Sequence, residues 1–376
     1  MKATSLHCVC FRRLRAAVAV CAVLLTASCA TAPALRERGS RPGTESTPVE
    51  GRLIFDAGLE ERILALDPER ISEHDVRTIL AAGPTPRMIL LHGAIYPSFL
   101  MMSSFATFLE GMGYPSDKLR DPADRSYSQS PYGSSERLAG EIAWYYEHDG
   151  VHPMLIGQSL GGMQAVKVLY ELQGTFNDRI AVWDPYRDRA EARYSIVDPL
   201  SGRTRPVVGV SVSLASEVGA GGTAFAFPTQ WNMLDRLRAI PDTVDEFVGF
   251  TILGDPIALT FSGADGASHN RANGAATVRN VTLPLGYNHV TVPVTHALAL
   301  DPRARAWIND YVPNPTRELR NPAEVDGANI LWAAEVWFSI KKHWCLEAQQ
   351  LIRARQTAWH IGDLAPGSSP GSVTLL

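Results

Sequence analysis

The chain has 376 residues, of which 45% are hydrophobic and 20% charged, the balance of an ordinary globular protein with enough length to bury a substantial core. The net charge is -4 at pH 7, and basic residues cluster only at the very start, which gives no sign of a nucleic-acid partner. No helical pair of metal ligands and no glycine-rich phosphate loop is present, so no metal and no cofactor is expected.

The elements begin with a leader. Lys2, Arg12, Arg13 and Arg15 precede a short apolar run from Ala16 to Ala27. That run is too short to span a bilayer comfortably, and residues 1–28 read as a signal peptide. It ends in Leu25-Thr26-Ala27-Ser28-Cys29. Small residues before a cysteine resemble the lipobox of bacterial lipoproteins. The resemblance implies cleavage before Cys29, lipid attachment at Cys29 and residence in the cell envelope, at the outer membrane. A plain secretory cut near Ala30 or Ala32 is the alternative. Cys8, Cys10 and Cys21 would leave with the leader, so a lipidated Cys29 leaves Cys345 without a disulfide partner. Residues 29–50, rich in Pro, Thr, Ser, Arg and Gly, read as a flexible tether.

One domain is expected over 51–376. Ser72 is placed to cap a helix with acidic residues in its first turn. Arg87 to Ala94 is an apolar strand ending in His92-Gly93, and a helical run follows from Ser98 to Gly113. Pro153 to Gln158 is a second buried strand. It runs into Gly157-Gln158-Ser159-Leu160-Gly161 and then an amphipathic helix, Met163 to Leu172. Strand, Gly-x-Ser-x-Gly and helix together make a nucleophile elbow, a strained turn that lifts a serine hydroxyl clear of the sheet. Acyl transfer also needs N–H groups aimed at the developing oxyanion. The main chain of Leu160, directly after the serine, and of Ala94, directly after His-Gly, is expected to supply them. His92 reads as a structural residue closing its strand. Alternating strands and helices imply a mostly parallel sheet covered on both faces.

An insertion is expected over about 175–243. It holds a hairpin turning at Asp198 to Gly202, a strand at Val207 to Ser213, and an irregular stretch from Glu217 to Thr243. Phe225, Phe227, Trp231 and Met233 in that stretch read as core packing under a long loop, or as an acyl pocket or lid. Phe247 to Leu253 and Ala276 to Pro284 read as further strands, and Arg303 to Tyr311 as a helix. A helical extension over about 322–356, with Trp332, Trp337 and Trp344, reads as appended to the domain.

The segments LLHGAIYPSF, LIGQSLGGM, FTILGDPIAL and LPLGYNHVTVP resemble a bacterial lipase or carboxylesterase of the α/β-hydrolase family over residues 86–312. Gln158 stands where many members have histidine. The resemblance implies an α/β-hydrolase fold and a Ser-His-Asp triad in the chain order serine, acid, histidine. Ser159 is then the nucleophile. Among the histidines after it, His269 falls in a polar loop, His343 in a helix and His360 in the tail. His289 and His296 remain, with His289 favoured because a turn after the last strand carries it to the sheet edge. Asp255, in the turn Gly254-Asp255-Pro256 after a strand, is favoured over Asp265 as the acid. The expected activity is hydrolysis of small-molecule or lipid carboxylic esters. A thioesterase, amidase or acyltransferase would use the same groups, and a non-catalytic binding lipoprotein is the alternative from a different class.

Overall fold

A computed structural model of the chain describes residues 56–259, 269–314, 319–325 and 327–363. The leader, Cys29, the tether and Asp265 lie outside the described residues.

Five strands form one parallel sheet in the order of the chain: β1 (Met88–Leu91), β2 (Met154–Gln158), β3 (Val212–Val218), β4 (Val244–Ile252) and β5 (Thr277–Leu283). β1 to β3 are buried along their whole length; β1 is apolar throughout, whereas β3 also buries Ser213, Ser216 and Glu217, each with a hydrogen-bond partner. Alternate residues feed two cores. Met88, Leu90, Met154, Ile156, Leu214 and Phe250 point to one face, and Ile89, Leu91, Leu155, Ala215 and Phe247 to the other. The first face is covered by α3 (Tyr96–Met112), α6 (His296–Leu300), α7 (Pro302–Asp310) and α8 (Ile330–Asp363). The second is covered by α4 (Ser135–Asp149) and α5 (Leu160–Leu172). Two short helices, α1 (Ala57–Leu64) and α2 (Glu73–Thr78), precede β1. Ser72 caps α2 as expected, in a capping box with Asp75.

Three expectations are corrected here. The strand placed at Val207 to Ser213 forms later, at Val212–Val218, so Glu217 and Val218 are strand rather than irregular chain. Gly209 has φ +93 and donates its N–H to Leu172 O, which breaks the apolar run. Val207 and Val210 are buried in the connection instead. Val290 to Val294, whose β-branched residues predict extended chain, is a series of turns. The C-terminal helix is not an appendage. Trp332, Trp337 and Trp344 are fully buried, and Trp332 packs against Phe105 at 4.6 Å between ring centroids. The hairpin is present, with Ser195–Val197 paired antiparallel to Thr204–Pro206 and Asp198 Oδ1 accepting the N–H groups of Leu200 and Ser201.

α8 is tied to the sheet by charge as well as by packing. Glu246 on β4 is 4% exposed and meets His343 and Lys342 of α8, each at 3.1 Å, and Arg279 of β5 at 3.6 Å. Burial pushes the Glu246 carboxyl up, but the hydrogen bond and charge of His343, then Lys342 and Arg279, outweigh it and bring the pKa to about 2. The folded value lies below the unfolded one. The stabilisation is therefore complete above the ordinary carboxylate range and is lost as pH falls toward 2. Glu246→Gln is expected to cost about 3–5 kcal/mol at pH 7, with the gap to wild type narrowing below pH ~4. Urea unfolding of both proteins at pH 7 and pH 3 checks this; an equal gap at the two values would contradict it.

Candidate active site

The parallel sheet places the ends of β2, β3, β4 and β5 at one edge, and the expected groups gather there. Ser159 follows β2 directly. Its backbone has φ 57 and ψ -121, a strained conformation for a residue with a Cβ. The strain is imposed by its surroundings. Ser159 N–H continues the ladder to Val218 O at 2.8 Å, while the chain must turn at once into α5. Close packing leaves no room for side chains on either side. A Cβ on Gly157 would lie 2.3 Å from Gly161 O, and one on Gly161 would lie 2.3 Å from Leu91 O. Ser159 occupies the N-cap position of α5, yet its hydroxyl makes no cap bond. It turns to His289 Nε2 instead, at 2.7 Å.

His289 is carried on the turn after β5. Asn288 Oδ1 accepts the N–H groups of Val290 and Thr291, and Tyr287 Oη accepts Leu331 N–H of α8. The second imidazole nitrogen, Nδ1, meets Asp255 Oδ2 at 2.6 Å. An ionised carboxylate only accepts, so Nδ1 carries the proton and Nε2 accepts from the serine hydroxyl. Asp255 stands in the turn after β4, 3% exposed, and its Oδ1 accepts the N–H groups of Ile257 and Ala258. Burial pushes its carboxyl up. The hydrogen bond and charge of His289, with those two N–H groups, more than offset this and hold it below the ordinary carboxylate value. Gly219, with φ +70, sits behind the ring, and a Cβ there would lie 2.9 Å from the imidazole.

Ala94 and Leu160 line the same cavity as Ser159 and His289. Neither N–H has an acceptor among the described residues. The Ala94 carbonyl is held by Tyr132 Oη at 2.8 Å. The cavity has a volume of about 240 Å³, and no Asp, Glu, Lys or Arg lines it. Ile95, Tyr132, Ala224, Phe227, Ile257 and Val290 form much of it. The large apolar side chains after β3 therefore divide. Phe227 lines the cavity with its ring 5.8 Å from that of Tyr132, Met233 is buried in the core, and Trp231 is exposed.

Other candidates lie elsewhere. His296 begins α6, exposed, with Nδ1 3.1 Å from Ser104 Oγ. His92 bonds Gly93 O at 2.7 Å, and burial holds its pKa below the ordinary value against that bond. His343 pairs with Glu246. Among the described residues no three His, Cys, Asp or Glu side chains converge to hold a metal ion, and no helix is long and apolar enough to cross a membrane. Cys345 is free and buried.

Sequence reasoning missed the support behind His289. Glu217, 2% exposed at the end of β3, accepts from Arg238 at 3.0 Å and from Asn270 at 3.2 Å, and its other oxygen accepts Ala220 N–H. This braces the turn that holds Gly219. The partners lie 21 and 53 residues away in sequence, so no local pattern could join them.

In comparisons of the sequence with family models and with curated proteins, nothing matches this chain.

Proposed function

We propose that this protein is a serine hydrolase of the α/β-hydrolase type that cleaves carboxylic esters through an acyl-enzyme. The observation that carries the proposal is the continuous chain of hydrogen bonds from Ser159 Oγ to His289 to Asp255, at 2.7 and 2.6 Å. The serine sits on a strained turn, and its cavity is also lined by Ala94 and Leu160, whose N–H groups have no acceptor among the described residues.

The chemistry follows from the geometry. His289 Nε2 takes the hydroxyl proton as Ser159 Oγ attacks the acyl carbon, and Asp255 steadies the imidazolium that forms. Ala94 and Leu160 N–H groups face the oxyanion, and one such donor is worth about 2.7–4 kcal/mol. The imidazolium then protonates the departing alcohol. Water, deprotonated by His289, releases the acid and restores the serine. The neutral, largely apolar cavity lies below the ~300–1,000 Å³ of pockets for drug-sized ligands, which favours small uncharged esters. The alternatives on the same groups, a thioesterase, amidase or acyltransferase, differ only in leaving group or acceptor.

A fluorophosphonate probe tests the reading together with p-nitrophenyl acetate and butyrate. Covalent modification of Ser159 and hydrolysis of the esters are expected. A folded protein that shows neither is a binding protein and not an enzyme.

The chain is further proposed to be held in the bacterial cell envelope, at the outer membrane, by lipid on Cys29. Diacylglyceryl plus amide-linked chains meet the two-chain requirement for stable anchoring. Mass spectrometry of the mature protein is expected to find lipid on residue 29. An unmodified N-terminus starting at Thr31 or Pro33 would exclude it.

A further inference from the structure

Gln158 stands between the last glycine of β2 and Ser159, and its side chain is 1% exposed. Nε2 donates to the main-chain carbonyl of His289 at 2.7 Å. No other hydrogen bond to that carbonyl occurs among the described residues. The amide can face only one way, because reversal would set two oxygens against each other. Oε1 is buried without a donor among the described residues, against the turn at Gly93; a Cβ on Gly93 would lie 2.6 Å from it. One side chain thus touches the nucleophile turn, the base loop and the turn at Gly93.

The unpaired Oε1 is costly, and methionine or leucine at this position would remove it, but only by giving up the bond to the His289 carbonyl. The local rule is broken at a place where the only return is a bond to the main chain of the base, and such breaks belong at functional positions. We infer that Gln158 is a positioning residue: its N–H fastens the main chain of His289 to the elbow, so that imidazole and hydroxyl keep one mutual placement through both chemical steps. This rests on the hydrolase reading above. The other ties of the base loop run elsewhere. Asn288 bonds the loop to itself, Tyr287 bonds it to α8, and Asn329 bonds the carbonyls of Thr291 and Val294. Among the described residues, Gln158 alone hydrogen-bonds the main chain of His289.

Gln158→Met and Gln158→Leu remove the donor while keeping an apolar side chain of similar bulk. Gln158→His keeps a ring N–H at comparable reach. The readouts are kcat and KM on p-nitrophenyl butyrate, the rate of fluorophosphonate labelling of Ser159, and the melting temperature. For Met and Leu, kcat and labelling rate are expected to fall about 10–100-fold, since small misplacements of reacting groups have effects of that size. KM should stay within about twofold and the melting temperature within a few degrees. Histidine should restore most of kcat. Wild-type kcat in both donor-less variants overturns the inference, as does a loss confined to KM, an equal loss in the histidine variant, or failure of both donor-less variants to fold. Wild-type protein that neither labels nor hydrolyses would instead sink the hydrolase reading and this inference with it. Active wild type with equally active variants sinks the inference alone.

Discussion

Ser159→Ala is expected to lower ester hydrolysis by about 10⁴–10⁶-fold while leaving the protein folded, because removing the nucleophile disables the triad as a unit. Stability should hardly move, for two reasons. Alanine keeps the Cβ, so the backbone at φ 57 carries the same strain as before. The hydroxyl caps nothing, and its one bond among the described residues is to His289 Nε2. Turnover on p-nitrophenyl butyrate and thermal unfolding, measured side by side, check the pair of statements. A folded Ser159→Ala protein with near-normal turnover would remove Ser159 from the mechanism. Loss of activity accompanied by unfolding would show that the hydroxyl had been needed for structure.

What could be read from the chain alone was what its neighbours in sequence impose. The Gly-x-Ser-x-Gly turn is local. Gly157 and Gly161 announce tight contacts whose other sides, Gly161 O and Leu91 O, are supplied by the adjoining helix and the next strand. Asp255 and His289 were legible as turn residues following apolar strands, which a parallel sheet must bring to one edge. The start of β3 was not legible, because Val207 and Val210 are as apolar as the strand itself and the turn between them, at Gly209 with its positive φ, has no signal in their composition. The role of α8 was legible in principle. Ile330, Leu331, Trp332, Ala333, Ala334, Val336, Trp337 and Ile340 are all buried, so the helix is apolar around most of its circumference. Such a helix belongs inside a core, and its place at the end of the chain suggested an appendage. In sequence Gln158 is only a departure from the histidine that many members of the resembled family carry. Its meaning lies in a bond to a residue 131 positions away, which no local pattern shows.

The two remaining histidines provide the second large contrast. His289→Ala is expected to reduce hydrolysis by about 10⁴–10⁶-fold, and His296→Ala to leave it within about twofold of wild type. They lie close in sequence and both follow the last strand, so composition and order do not part them. The turns from Val290 to Val294 do. Val292 N–H bonds Asn288 O and Val294 N–H bonds Thr291 O, which coils the chain away from the sheet edge. His296 therefore emerges at the start of α6, where its Nδ1 and its N–H both meet Ser104 Oγ on α3. Losing that exposed contact removes one surface hydrogen bond, a change of at most about 1.5 kcal/mol in stability and none in the reacting groups. On the proposed mechanism, losing His289 leaves Ser159 without a base, and it leaves Asp255 buried without its imidazole partner. Alanine there is expected to lower the melting temperature as well, since an uncompensated buried carboxylate is costly. Steady-state rates on p-nitrophenyl butyrate for the two variants decide the matter. Full activity in His289→Ala with loss in His296→Ala would place the base on α6 and require that helix to approach Ser159.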